Sequence, residues 1–241
     1  MVRLLPHQVQ VFYIFLPPWQ TELDTLWPLL ATQEQQRAHQ FVQAIDRQRF
    51  IISHGTLRQI LGEYLGIPPE QVPLQATALG KPYVAGMPIA FNLSHAGQWA
   101  AIAVTTGMPV GIDIEAFRPI ANLVSLGRHV FSPAERAAFT AIPAADQLSA
   151  FFQLWTRKEA LLKAIGQGLH LPPTRVNLGF TVEPQVIDCQ TALTGPVAGD
   201  FTRIALYPLR PDRDYWGALA VAGSGGTIIE QCWLPDRASL I

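Results

Sequence analysis

Trp99-Ala100-Ala101-Ile102-Ala103-Val104 and Trp216-Gly217-Ala218-Leu219-Ala220-Val221 carry the same order of one aromatic residue and five small or branched apolar ones. Each run has strand length, and the pair hints at an internal duplication. A six-residue apolar match arises by chance often enough that its surroundings must repeat too. Upstream of the first run, Thr32-Gln33-Glu34-Gln35 fits a capping box, and residues 50–65 place apolar side chains at helical spacing. Gly66-Ile67-Pro68-Pro69 ends that pattern, and Gly80-Lys81-Pro82 and Gly86-Met87-Pro88 punctuate the approach to strands over 91–93, 99–105 and 110–115. Upstream of the second run, Ser132-Pro133-Ala134-Glu135 is a stronger capping box, with proline at the first helical position. The spacing then predicts a helix over 151–165, closed by Gly166 and Gly168, and strands near 176–182, 201–206 and 216–221. An aromatic, β-branched run over 9–16 reads as one more strand, ending at Pro17-Pro18. Helices followed by strands, twice over, indicate an α+β protein with two similar halves, 1–110 and 111–241, joined near Val110.

Composition narrows the function classes. Apolar residues make up 49% of the 241 and charged ones only 15%, and the formal net charge is -1. No overall field draws the chain to nucleic acid or to an anionic membrane, so any anion must be bound by a local cluster. The apolar run before Pro17 falls short of the roughly 18 residues that span a bilayer. No signal peptide is expected, and Cys189 and Cys232 lack the spacing of a zinc site or disulfide framework, which points to a reducing, cytoplasmic setting.

Four segments could carry chemistry. Asp113 and Glu115 stand two apart in a strand, so both carboxylates leave one face, and oxygen ligands of this kind suit a hard ion such as magnesium. Taken alone, the pair is as well explained as the solvated face of an edge strand. Glu159 and Lys163 are four apart on a helix that Trp155 and its apolar neighbours mark as substantially buried; an ordinary surface ion pair is the alternative. Ser94-His95 follows a short strand, with no nucleophile-elbow glycines around it to activate the serine. Lys81, Arg37, Arg47 and Arg49 could meet phosphates or merely be solvated. No Walker-type or dinucleotide fingerprint is present.

In order and spacing these segments resemble the 4′-phosphopantetheinyl transferases of the surfactin-synthetase-activating (Sfp) type. Those enzymes carry Gly-Lys-Pro, Phe-Asn-x-Ser-His, Gly-x-Asp-x-Glu and Trp-(Ser/Thr)-x-Lys-Glu-(Ala/Ser)-x-x-Lys, with a trailing Gly-x-Gly-Leu. Here the matching residues are Gly80-Lys81-Pro82, Phe91 to His95, Gly111 to Glu115, Trp155 to Lys163 and Gly166-Gln167-Gly168-Leu169. The resemblance implies that the two halves are arranged as a pseudodimer, with a cleft between them that binds coenzyme A as co-substrate. It implies that Asp113, Glu115 and Glu159 hold Mg2+, that Glu159 is the base for a serine of an apo acyl or peptidyl carrier protein, and that Lys163 stabilises the pyrophosphate and helps 3′,5′-ADP leave. Ser94 and His95 would contact coenzyme A phosphates, with Lys81 nearby and Lys158 a weaker candidate.

The sequence departs from the pattern at the first-half basic helix. Glu34 stands there, leaving Arg37, Arg47 and Arg49 for the 3′-phosphate, with Arg49 favoured. Phe117, Arg118 and Ile120 would face the carrier, whose pathway (fatty acid, polyketide, nonribosomal peptide or glycolipid) the motifs leave open. A built-in pseudodimer implies a monomer. Two other readings use the same residues: a magnesium-dependent nucleotide or pyrophosphate hydrolase, and a non-catalytic coenzyme A-binding module.

Overall fold

The computed structural model describes residues 5–167, 171–194 and 202–235. The first half begins with β1 (Gln8–Phe15), passes through α1 (Leu23–Leu26), α2 (Thr32–His39) and α3 (Ala44–Leu65), and returns as β2 (Leu74–Ala76), β3 (Pro82–Val84), β4 (Ile89–Ala96) and β5 (Trp99–Thr106). The second half repeats the plan with β6 (Val110–Ala116), α4 (Leu123–Val130), α5 (Pro133–Thr140), α6 (Ala144–Ile165), β7 (Gln185–Asp188), α7 (Cys189–Ala192), β8 (Arg203–Leu209) and β9 (Tyr215–Ala222). A last strand, β10 (Thr227–Cys232), crosses back and pairs parallel with β1. The two main sheets run β10-β1-β5-β4 and β6-β9-β8-β7.

Alternation along the strands sorts side chains into three cores. Val9, Val11 and Tyr13 of β1, Ala101 and Ala103 of β5, Ile112 and Ile114 of β6, and Leu219 and Val221 of β9 form an apolar layer between the two sheets. The opposite faces carry Phe12, Ile14 and Ile102 towards α3, and Ala218 and Ala220 towards α6. The sheets therefore pack face to face with one long helix on each outer side. Gly111, Asp113 and Glu115 alternate with the inward isoleucines and so face α6. A Cβ at Gly111 would lie 2.0 Å from Ala160 O and 2.4 Å from Ala164 N. Only glycine lets α6 cross β6 this closely.

The duplication goes beyond the matched strands. α3 and α6 each span 22 residues, and each ends at a left-handed glycine, Gly66 (φ 66°) or Gly166 (φ 76°). Ile67-Pro68-Pro69 and Leu171-Pro172-Pro173 then open matching 3-10 turns. In the first half Arg58 of α3 bonds Glu34 Oε2 (2.6 Å) and the Pro69 and Val72 carbonyls (3.2 Å each), while Glu34 reaches back to Ala31 N (2.9 Å). In the second, Lys158 of α6 bonds Glu135 Oε2 (2.5 Å) and the Pro173 (2.9 Å) and Val176 (2.7 Å) carbonyls, while Glu135 reaches back to Ser132 N (2.7 Å). Each half thus holds a buried cation that ties the long helix to a helix start and to a Pro-Pro turn. This corrects the expectation that Lys158 meets coenzyme A: its side chain is fully buried, and a fourth bond to Val130 O completes its commitments.

Other expectations shift for local reasons. The second capping box forms as read, but the first slips by one residue, because Glu34 caps the Ala31 amide and draws Thr32 into the helix. Residues 176–182 form no strand beyond an isolated Val176–Leu193 bridge. Side chains of α6 claim that stretch instead: Gln153 donates to Thr181 O, and Arg157 donates to Glu183 O (3.3 Å) and Gln185 Oε1 (2.5 Å). Phe201, Gly168 and Leu169 lie outside the described residues. Among those described, no helix is long and apolar enough to cross a membrane.

Candidate functional site

Among the described residues β6 pairs by backbone only with β9, so its other edge presents amide and carbonyl groups that need partners. Side chains supply them. Lys81 Nζ donates to Val110 O (3.2 Å), Asn92 Oδ1 accepts from Ile112 N (2.8 Å), Lys163 Nζ donates to Ile112 O (3.1 Å), and Ser94 Oγ accepts from Ile114 N (3.3 Å). Asn92 and Ser94 stand two apart on β4, matching the two-residue spacing of the amides they meet. Much of the motif pattern therefore seals the joint between the halves. Lys81 also donates to Ala164 O (2.8 Å) in the last turn of α6, a favourable place for a cation. Loss of solvent there pulls its pKa down to about 8.

The acids gather on the α6 side of this joint. Asp113 Oδ1 accepts from Lys163 Nζ (2.6 Å) and from Ser94 Oγ (3.0 Å). Its Oδ2 is buried without a hydrogen-bond partner. Burial pushes the Asp113 pKa up, against the pull of Lys163. Glu159, one turn before Lys163, is raised by burial and then by the negative charge of Asp113. Glu115 accepts from Trp155 Nε1 (3.2 Å) and from exposed Arg118 (2.9 Å). Among the described residues no three His, Cys, Asp or Glu side chains already stand close enough to share one ion. The orphaned Oδ2 and the all-oxygen donor set nonetheless fit a hard divalent cation, which would take over from Lys163 at Asp113.

Three adjoining cavities lie here, two at the joint and one between them in the first half. One of about 290 Å³ lies over Lys81, Asn92, Glu159, Leu162 and Lys163. A second, of about 470 Å³, shares Pro82 and Asn92 with it and reaches Glu34, Arg37, His54 and His95. The third shares His95 and ends at Arg49, Glu115 and Arg118. Each of the three carries both a carboxylate and at least one basic side chain.

Residues 17–107 match the family profile described as 4′-phosphopantetheinyl transferase, N-terminal, and residues 109–201 match that of the 4′-phosphopantetheinyl transferase superfamily. Over 229 residues the chain is 35% identical to the 4′-phosphopantetheinyl transferase HetI of Nostoc sp., covering 93% of this chain and 92% of that one. The chain belongs to the 4′-phosphopantetheinyl transferase family. It is also 34% identical to the transferase psf-1 of Bacillus pumilus (67% of this chain, 70% of that one) and 27% identical to Sfp of Bacillus subtilis (66% and 70%). A solved ACPS–CoA complex of Chronobacterium ammoniagenes aligns with 48% of this chain and 96% of its own, at 23% identity and a TM-score of 0.34.

Within this phosphopantetheinyl transferase, Asp113, Lys163 and Ser94 meet directly, Glu159 lines the same cavity as Lys163, and Glu115 and Lys81 lie towards either end of the same strand edge. Arg37 stacks over Phe50 (5.4 Å) and lines the second cavity with His95, whose pKa is lowered by loss of solvent and by the nearby His54, Lys163 and Arg49. Arg49 pairs with Asp46 (3.1 Å) beside the third cavity. Sequence reasoning missed His54, whose Nδ1 donates to Glu34 Oε1 (3.0 Å), and the edge-sealing role of Asn92. Only the Asn-x-Ser spacing could have signalled the latter.

Proposed function

We propose that this enzyme moves the 4′-phosphopantetheine arm of coenzyme A onto a serine hydroxyl of an apo acyl or peptidyl carrier protein, as a monomeric enzyme of the surfactin-synthetase-activating type. Its halves divide at 110/111, with β10 shared across them. One observation carries the reading: Glu159 and Lys163 of α6 and Asp113 of β6 converge in a crevice at the joint of the halves, within a chain of this family.

The chemistry follows from the charges. A carboxylate whose proton affinity is raised, as that of Glu159 is, suits the removal of a proton from a serine hydroxyl. The serine oxygen bonds to the β-phosphorus of coenzyme A, the bond from that phosphorus to the bridging oxygen breaks, and 3′,5′-ADP leaves with the electron pair. Lys163 faces the charge that develops on the leaving phosphate and can supply its proton. Asp113, Glu115 and Glu159 would hold magnesium, which when bound neutralises the clustered acids and polarises the phosphoryl group. Arg37, Arg49 and His95 are the side chains open to other phosphate oxygens. Lys81 and Ser94 stand at the same crevice with their polar atoms on the β6 edge. Exposed Arg118, with Phe117 and Ile120, would meet the carrier.

Purified protein, magnesium, coenzyme A and an apo carrier should give a carrier heavier by one phosphopantetheine. Asp113→Ala and Glu159→Gln should each lose most of that product while remaining folded. Full labelling by Glu159→Gln would remove the base from the mechanism. Coenzyme A cleavage without any carrier would favour a hydrolase instead.

A further inference from the structure

Side chains seal the β6 edge at two-residue steps: Lys81 at Val110, Asn92 and Lys163 at Ile112, Ser94 at Ile114. The next step falls at Ala116, where β6 ends and β4 is already turning into β5. Here the second half reaches across instead. Tyr215, paired with Ala116 in the β6–β9 ladder and only 8% exposed, accepts at its hydroxyl a hydrogen bond from Gln98 N (3.0 Å) in that turn. Gln98 is gripped from both halves, since its carbonyl accepts from Leu16 N (2.8 Å) just beyond β1. Gly97 beside it is left-handed (φ 54°), and a Cβ there would lie 2.4 Å from Tyr215 Oη and 3.5 Å from Ala116 Cβ. The turn has room for the tyrosine hydroxyl only because position 97 has no side chain.

Ser94 and His95 stand just ahead of this turn. The β4–β5 ladder runs unbroken from Ser94–Ala101 to Ala96–Trp99, so the turn and Ser94 move as one piece. Ser94 Oγ meets Asp113 and Lys163, while His95, Ala96 and Gly97 line the third cavity, of about 300 Å³, together with Glu115. We propose that Tyr215 is a positioning residue for the transfer reaction: its hydroxyl holds the β4–β5 turn against the end of β6 and so keeps Ser94 and His95 in place opposite Asp113 and Glu115. The assignment rests on the transfer reading above. Lys81 pins one end of the joint, at Val110, and Tyr215 pins the other, with Asp113 and Glu115 between them. With its hydroxyl taken up by Gln98, Tyr215 acts through the residues it places and not at the reacting atoms.

Tyr215→Phe removes the oxygen and leaves the ring. At saturating coenzyme A and apo carrier protein, well below the melting midpoint, its kcat should fall about fivefold, the worth of one neutral hydrogen bond, with KM for the carrier within about twofold of wild type. A bond that served stability alone would lower the melting midpoint and leave the kcat of the folded protein unchanged. Gly97→Ala, made in both backgrounds, reads the contact itself. Beside the tyrosine the new Cβ meets the hydroxyl and pushes the turn off β9, which should cost about a hundredfold in kcat. Beside phenylalanine the nearest atom is Cζ at 3.4 Å, an ordinary contact, and the same change should cost less than about tenfold. The strain of a positive φ is common to both backgrounds and cancels in the comparison. Equal losses in the two backgrounds, or a wild-type kcat in Tyr215→Phe, overturn the assignment. Should Gly97→Ala fail to fold, the kcat of Tyr215→Phe decides by itself. Wild-type protein that transfers nothing to the carrier overturns the function and this assignment together, whereas normal wild-type transfer with an unchanged kcat in Tyr215→Phe overturns this assignment alone.

Discussion

Gly111→Ala tests the structural heart of the site without touching a charged group. The new Cβ would lie 2.0 Å from Ala160 O, 2.4 Å from Ala164 N and 3.0 Å from the Lys163 carbonyl carbon, all of them backbone atoms of α6. Non-bonded carbon contacts settle near 3.5–4.0 Å, so the helix has to retreat from β6 by about 1 Å or more. Overpacking of this kind costs about 1–3 kcal/mol, which for a chain of this size lowers Tm by about 2–12 °C. The catalytic penalty should be larger in proportion. α6 carries Glu159 and Lys163, and the 2.6 Å contact of Lys163 with Asp113 cannot survive such a retreat. Misplacement by about 1 Å is worth about 10²-fold in rate. Mass-spectrometric initial rates on an apo carrier, beside a melting curve, should show a folded protein with roughly a hundredth of the activity. Wild-type rate with wild-type melting would mean that α6 does not need its close crossing, and the account of the site built on it would fail.

Three further outcomes follow from the charges. Glu159→Gln should melt higher than wild type near neutral pH: the folded-state pKa of Glu159 lies above its unfolded value, so stability falls as pH rises between the two, and the amide removes that loss; equal or lower melting at pH 7 contradicts the assigned burial. Lys158→Met strands Glu135 in the core and should cost about 3–5 kcal/mol in urea unfolding while leaving KM for coenzyme A near wild type; a KM rise without lost stability would return Lys158 to the substrate site. For Lys81, depressed to about 8 against an ordinary 10.5, the unfolded chain binds the extra proton between those values. Wild-type stability relative to Lys81→Met should therefore improve as pH rises from about 8 to 10.5 and be flat below, as read by urea midpoints; an opposite slope would refute the lowered pKa.

The strands and long helices were legible because their apolar periodicity is set by burial on known faces: both faces of β1 are covered, and α6 is apolar on the side that meets β9. The capping box at Ser132 was legible for an equally local reason. What the sequence hid depends on distant partners. Lys158 looks like any motif lysine until the Pro173 turn and Glu135 close around it. Residues 176–182 have strand composition, but Gln153 donates to Thr181 O and Glu135 accepts from the Leu178 and Gly179 amides, which holds that region as a loop. β10 is partly exposed, so only its pairing with β1 reveals it.

The strand echo that first marked the duplication also shows why the proposed chemistry has one joint only to use. Trp99 faces Phe15 in β1 as Trp216 faces Glu115 in β6, and Ala101 faces Tyr13 as Ala218 faces Asp113. By the same alignment, with α3 and α6 matched from their first residues, Gln59 stands where α6 has Glu159. The first half thus keeps the frame and none of the three acids. Its Tyr13 hydroxyl instead bonds Glu230 of β10, the strand laid along the free side of β1. On β6 that side is left to the side chains of Lys81, Asn92, Ser94 and Lys163. One edge of the duplicated frame is closed by a strand, and the other is closed by side chains whose polar groups a ligand can compete for; the proposed site lies where the seal is made of side chains.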